Sequence, residues 1–329
     1  MKILLVANNA VLPAVNYGGI ERVVWYLGKE LAKLGHKVSY LADEKSRCDF
    51  ADIYVCDPNQ PFEKQITDQF DVVHFNEYEP SPLFKIPYIV TRHGTINAQY
   101  NLDQNTVFVS KDHAGRYGSN SFVYNGLDWD DYGSVDLNNE RRYFHFLGKA
   151  AWRVKNLKGA IKTVLNVPGE KLAVLGGYRL NINMGFRFTL STRIKFYGMV
   201  GGEKKLSLLK QSKGLVFPVR WNEPFGLALT ESLYFGCPVF GTPYGSLPDI
   251  VKEDVGFLSN KSEKLSEAIK NVNSFCRKCC HEYASDCFNS KKMALEYIKK
   301  YDIVLSGKKL NGVSPRLKQI QTERFLKWD

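Results

Sequence analysis

The feature that most constrains this chain is a rhythm that occurs twice. A short β-branched or aromatic run ends in a polar or glycine turn, a helical pattern follows, and the next apolar run begins. KILLVAN reads as a first strand. Over residues 20–34, Ile20, Val23, Val24, Leu27, Leu31 and Leu34 recur at helical spacing, and Gly35 stops the helix. KVSYLA, DIYVC, DVVHF, YIVT, TVFV and SFVY then read as strands. The second half repeats the theme with YFHFLG, a helix from Asn156, KLAVLG, IKFYG, a helix from Glu203, GLVFPV, a helix from Leu227, CPVFG and VGFL. Runs apolar on both faces suit buried parallel sheets, whose crossovers are helices. The expected fold class is therefore α/β, with two doubly wound halves facing each other across a crevice at the strands' carboxyl ends.

The polar stretch DWDDYGSVDLNNERR is the expected hinge. It separates a domain at 1–138 from one at 139–305, whose last part, from Lys261 to Leu305, reads as helical. A polar tail at 306–329 is expected to pack back on the first domain.

At 329 residues the chain has room for two cores, and no window approaches the ~18 to 20 uninterrupted apolar residues of a membrane span. MKILLVANNAVLPAV runs directly into Gly-Gly and a helix, so it reads as a buried strand rather than a secretory signal. Seven cysteines without regular spacing suggest reduced thiols and a cytoplasmic location. In CRKCCHEYASDC, Cys276, Cys279, Cys280 and His281 suggest zinc. Adjacent Cys279 and Cys280 point apart on a helix, however, and no second pair follows, so a structural helix is expected. The net charge of +11 is uneven: residues 1–140 hold 12 Lys+Arg and 19 Asp+Glu, and the remainder holds 33 and 15. A basic half beside an acidic half points to a localised anion site rather than to nucleic acid.

The stretch most informative about chemistry is PVRWNEPFGLALTESLYFGCPVFGTPYGSLPDIV, residues 218–251. A strand ends at Pro218, a loop carries Glu223, and a helix starts near Gly226. The amides of Phe225, Gly226 and Leu227 then open outward at the positive end of the helix dipole, where phosphate binds readily. Glu231 can accept hydrogen bonds from vicinal hydroxyls such as those of ribose. An ordinary strand-to-helix turn would look similar in isolation.

EPFGLALTE resembles the E-x7-E motif of the retaining GT-B glycosyltransferases, the glycogen-synthase-like family 4 group. GGIERVVWYLGKELAKLGHKV, DVVHFN, TRHG, VSKDHAGRYG with VYNGLD, FLGKAAWRVKNLKG and IKFYGMV are similar to further family segments and occur in the family's order. The resemblance covers most of the chain. It implies that Glu223 binds a donor-sugar hydroxyl and Glu231 the ribose, while the Phe225, Gly226 and Leu227 amides hold the diphosphate. Gly18 and Gly19 would let backbone approach the distal phosphate. His93 would sit beside the donor sugar and leaving phosphate, and Met199 and Val200 would back the nucleobase through main chain. The family's Arg-then-Lys pair maps onto Lys149 and then either Lys155 or Lys158; KN favours the former and KG the latter, and Lys155 is the expected second cation. Lysine at 149 is a point charge, not a bidentate fork.

Asp128-Trp129-Asp130 spells the D-x-D of another transferase fold, but it sits at the hinge, so no metal is expected. Neither GxxxxGK[ST] nor GxGxxG occurs, so kinase and dehydrogenase readings lack their phosphate loops. The implied activity is metal-independent, retaining transfer of a sugar from a nucleotide-diphosphate donor to a saccharide or glycoconjugate acceptor, without a cofactor. A non-catalytic sugar-nucleotide binder is the alternative. Because the first half is acidic, docking on an anionic membrane is not expected.

Overall fold

The computed structural model describes residues 1–14, 18–182, 184 and 186–329. They form two compact units, Met1–Trp129 with Phe288–Gln321, and Asp130–Cys287 with Thr322–Asp329.

In the first unit the strands are β1 (Lys2–Val6), β2 (Lys37–Ala42), β3 (Asp52–Val55), β4 (Val72–Asn76), β5 (Tyr88–Arg92) and β6 (Thr106–Phe108). They hydrogen-bond in the order β3-β2-β1-β4-β5-β6, with every neighbouring pair parallel. The order reverses between β1 and β4, which opens a switch point at their carboxyl ends. Helices α1 (Gly19–Lys33) and α2 (Lys111–Arg116) follow β1 and β6. The apolar stripe of α1 is buried through Val23, Val24, Leu27 and Leu31, as its spacing requires. One strand expectation needs correction, and one strand lies at the edge. β3 is an edge strand with mostly exposed side chains, and Val55 is 62% exposed. SFVY is no strand; Phe122 makes a single bridge to Phe108, after which the chain leaves to pair Leu127 with Asn289.

The second unit repeats the topology. β7 (Tyr143–Leu147), β8 (Leu172–Leu175), a short hairpin β9 (Leu180–Asn181) and β10 (Arg187–Phe188), β11 (Ile194–Phe196), β12 (Ser212–Phe217), β13 (Val239–Gly241) and β14 (Gly256–Leu258) occur in that order. Six of them form a parallel sheet ordered β11-β8-β7-β12-β13-β14, and the hairpin stands apart as a two-stranded sheet. The helices are α3 (Leu157–Leu165), α4 (Gly202–Lys210), α5 (Leu227–Tyr234), α6 (Leu247–Ile250), α7 (Ser262–Lys270) and α8 (Arg277–Cys287). Phe144, Phe146, Val174, Val216 and Phe240 fill the core on the α3 and α7 side.

The stretch expected to be helical to Leu305 is broken into α7, α8 and a last helix, α9 (Ser290–Leu305). Asn289 caps α9 by accepting from the Lys292 amide at 2.7 Å. This helix belongs to the first unit, not to the second as the expected boundary at 305 would have it. Its apolar period shows that it covers a core but not which one. The anchor is a buried polar cluster: His74 Nδ1 meets Tyr301 Oη at 2.9 Å, His74 Nε2 meets Thr91 Oγ1 at 2.7 Å, and Thr91 Oγ1 meets Tyr297 Oη at 3.0 Å. Burial pushes the His74 pKa down to about 3, so the ring is neutral. Residues 306–321 stay on the same unit and 322–329 return to the other, so the tail is shared rather than packed on the first alone.

This return changes the charge balance. With 288–321 included, the first unit holds 20 Lys+Arg against 17 Asp+Glu, or +3; the second holds 25 against 17, or +8. The acidic first half of the sequence is therefore not an acidic unit.

Gly126 sits where α9 begins, and a Cβ there would lie 2.2 Å from the Asn289 carbonyl oxygen. Backbone cannot move aside as a side chain can. Gly126→Ala is expected to cost about 3 kcal/mol, read as a lower thermal midpoint with the far-ultraviolet spectrum retained; an unchanged midpoint would contradict this packing.

Cys276 and Cys279 are joined as a disulfide, against the expectation that every thiol is reduced. Their spacing of three brings the Cα atoms to 5.2 Å, inside disulfide range. Among the described residues no group of three His, Cys, Asp or Glu side chains is placed to hold a metal ion, and no helix is long and apolar enough to cross a membrane.

Candidate donor site

The second unit gathers its charged side chains at the carboxyl ends of β7 and β12. After β12 the chain runs through Trp221 and Glu223 into α5, whose N-cap Gly226 has φ +82°, a left-handed conformation that suits glycine. The intrahelical ladder leaves the opening amides of α5, Leu227 among them, without helical partners. Glu223 is only 6% exposed. Its Oε2 accepts from Lys155 Nζ at 2.6 Å and from Trp221 Nε1 at 2.9 Å. Oε1 carries no hydrogen bond among the described residues.

Lys155 comes from the loop after β7 and is itself 9% exposed. Its ammonium lies 5.0 Å from the Trp221 ring centroid and 5.2 Å from that of Phe217. The next residue explains its direction. Asn156 adopts φ +55°, accepts from the Gly159 amide at 3.1 Å and donates to the Pro218 carbonyl at 2.9 Å. That tie fixes the start of α3 against the end of β12. Of the two alternatives left by the sequence, Lys155 meets Glu223, while Lys158 is exposed. Lys149 is also exposed, with Nζ 5.4 Å from the Trp152 ring centroid.

Just over one turn along α5, Glu231 is enclosed rather than open, with 2% exposure. Its Oε1 accepts from Tyr132 Oη and from Lys205 Nζ, both at 2.5 Å. Nothing in the sequence singled out Tyr132 or Lys205. Phe225 is buried, and its carbonyl accepts from Ser246 Oγ at 2.7 Å. Met199, 45% exposed, and the half-buried Val200 follow β11.

In the first unit, His93 follows β5. Its Nε2 meets Asn76 Oδ1 at 2.9 Å, and enclosure of the ring pushes its pKa to about 4 despite the opposing pull of Glu77. Glu77 was missed by sequence reasoning. It holds φ +62°, a strained position for a non-glycine residue, and its Oε1 accepts from the backbone amides of His93 (2.5 Å) and Gly94 (2.6 Å). A carboxylate that clamps two successive amides fixes the loop carrying His93. Gly18 caps α1 in an extended conformation; a Cβ there would meet Glu21 Oε2 at 2.7 Å. Gly19 opens the helix, and residues 15–17 of this loop lie outside those described. Asp128, the first acid of the D-x-D string, is held by Lys29 at 2.8 Å and Lys33 at 3.6 Å.

Residues 17–119 match the model for Glycosyltransferase Family 4, and residues 129–274 match the model for Glycosyl transferases group 1. An uncharacterized 41.2 kDa protein in the cps region of Klebsiella pneumoniae is 24% identical over 115 residues, 33% of this chain and 32% of its own length. The matched stretch thus spans about a third of that relative. AviGT4, a glycosyltransferase involved in avilamycin A biosynthesis, superposes with a TM-score of 0.75 at 20% identity, covering 93% of this chain and 98% of its own. HepE of Anabaena, in complex with UDP-glucose, gives 0.64 at 14%, covering 92% and 99%. At such identities these structures speak for the fold. Taken with the two models, which match successive stretches in order, they identify the chain as a GT-B protein of the family 4 glycosyltransferases.

Proposed function

We propose that this protein is a retaining glycosyltransferase that takes a sugar from a nucleotide-diphosphate donor and passes it to a saccharide or glycoconjugate acceptor without a metal ion. The observation that carries the reading is the Lys155–Glu223 pair set beside the first turn of α5. It combines a buried cation, a carboxylate with one oxygen unengaged, and helix-start amides in one loop system. That is what a diphosphate bearing a sugar requires.

In this reading Lys155, Lys149 and the amides of Phe225, Gly226 and Leu227 stabilise charge on the departing diphosphate, the task a metal performs elsewhere. Glu223 accepts from a donor-sugar hydroxyl. Glu231 receives the ribose hydroxyls after a shift of the side chains that enclose it, and Met199 and Val200 back the base. Gly18, Gly19 and the neutral His93 keep the roles that the family resemblance assigns them. The C1–O bond to phosphate breaks as the acceptor oxygen bonds to C1 on the same face, and the acceptor proton passes to the departing phosphate oxygen. HepE, whose structure holds UDP-glucose, makes UDP-sugars the first donors to try.

The test is a thermal-shift panel of UDP-, GDP-, ADP- and TDP-sugars. One donor class is expected to raise stability by about 2.7 kcal/mol at ~100 times its Kd. A shift with none of them, or with nucleosides alone, would overturn the donor assignment. Donor binding with neither transfer nor slow donor hydrolysis would instead favour a non-catalytic binder. Proton spectra of the product at the anomeric carbon then decide retention.

A further inference from the structure

The hairpin that stands apart from the second sheet has its polarity reversed. Leu180, Ile182, Met184, Phe186, Phe188 and Leu190 alternate along it and are 53–81% exposed. The intervening arginines face inward. Arg187 is 8% exposed, donates to the Tyr178 carbonyl at 2.8 Å and stacks 5.0 Å from the Phe196 centroid. Arg179 donates to the Thr189 and Ile194 carbonyls at 2.5 and 2.8 Å. A soluble hairpin ordinarily turns its apolar side chains to the core. Here the arginines bond the hairpin's own backbone and β11, and the greasy face is held outward.

Beside this face lies a cavity of about 260 Å³ whose wall includes Met184 and Phe186 of the hairpin. Arg153, Lys158, Arg187 and Arg220 also line it, and among the described residues no acidic one does. Arg153 and Arg220 stack on Phe325 at 4.9 and 5.1 Å. No salt bridge among the described residues engages any of these four cations. Cations without counter-ions, lining a cavity whose wall includes exposed Met184 and Phe186, match an interface in which acyl chains lie beside anionic headgroups. The unit's net charge of +8 has the matching sign.

We propose that the described residues of this hairpin, 178–182, 184 and 186–190, and the basic cavity beside them dock this unit on a bilayer surface rich in anionic phospholipid. The apolar side chains enter the acyl boundary, and Arg153, Lys158 and Arg220 receive headgroup phosphates. The expectation against membrane docking rested on an acidic first half, and that basis has gone with the return of 288–321.

Co-sedimentation of the full chain with vesicles tests this. Binding is expected to vesicles of one-third phosphatidylglycerol in phosphatidylcholine, with at least tenfold weaker binding to pure phosphatidylcholine and loss in high salt. Ile182→Ser with Phe188→Ser is expected to reduce binding at least tenfold, and Arg153→Gln about fivefold, at one cation's contribution. Leu190→Ser, a milder change, covers the case in which the double variant fails to fold and is expected to weaken binding severalfold. Equal binding to neutral vesicles, unchanged binding by correctly folded hairpin variants, or a stable dimer sealed through the hairpin without lipid would each overturn the proposal. The donor thermal shift is read in parallel, and its retention in these variants keeps this result separate from the donor site.

Discussion

Glu223→Ala is expected to lower kcat/KM by at least 10²–10³, the scale of removing one preorganised transition-state partner, with Lys149→Ala and Lys155→Met in the same range. The three substitutions differ in what else they do. Lys155 is 9% exposed and its ammonium has Glu223 as its ion-pair partner. Alanine at 223 therefore strands a buried cation, which costs about 3–5 kcal/mol of stability. Glu223→Gln keeps the shape and a carbonyl oxygen for Lys155, so it is expected to retain most of the thermal midpoint while still losing transfer. Lys149 is exposed, and its ammonium lies 5.4 Å from the Trp152 ring centroid. Its alanine variant should leave stability unchanged and reduce turnover alone. Steady-state transfer with the donor found by thermal shift reads all four. Near-normal turnover in Glu223→Gln and Lys149→Ala together would remove the site from this loop system.

Much of this was legible in the sequence because it depended on local chemistry. The strand runs and the α1 stripe are periodic, and periodicity is set by which face is buried. The turn into α5 was legible because Glu223, Gly226 and Leu227 lie within five positions of one another. What the sequence did not disclose depended on distance. Lys205 lies 26 positions from Glu231 and Tyr132 lies 99, and no spacing rule links them. The choice between Lys155 and Lys158 was open because both follow the same strand; the left-handed turn at Asn156 separates their directions. The placement of α9 was missed for a similar reason. Its apolar positions fit either core, and the buried contact of Tyr301 with His74, 227 residues apart, selects one. The hairpin was missed because its alternation reads as an ordinary half-buried strand, and alternation alone does not say which face is out.

Acid is expected to unfold the first unit before the second. His74 and His113 are held to about 3 and His93 to about 4 in the first unit, in each case by burial of the ring before any charged neighbour. In the second, His145 lies between Ser212 Oγ and Ser232 Oγ and is likewise held to about 3. An unfolded chain protonates each of these below about pH 6.5, whereas the native state does not. Stability is therefore intact above that pH and falls as pH drops towards the native values. Each ring contributes about 1.4 kcal/mol per pH unit. Three rings give the first unit a slope near 4 kcal/mol per unit, against about 1.4 for the second. A domain of this size holds about 5–15 kcal/mol in all, so at about 4 kcal/mol per unit the first unit should fail near pH 5 at the lower bound, and near pH 4 at about 10 kcal/mol. Hydrogen exchange at pH 7.5, 6.0, 5.0 and 4.5 resolves the two units peptide by peptide, with His74→Gln expected to reduce the first unit's slope by one proton. Equal protection loss in both units, or no loss above pH 4, would show that these histidines are not held neutral by the fold.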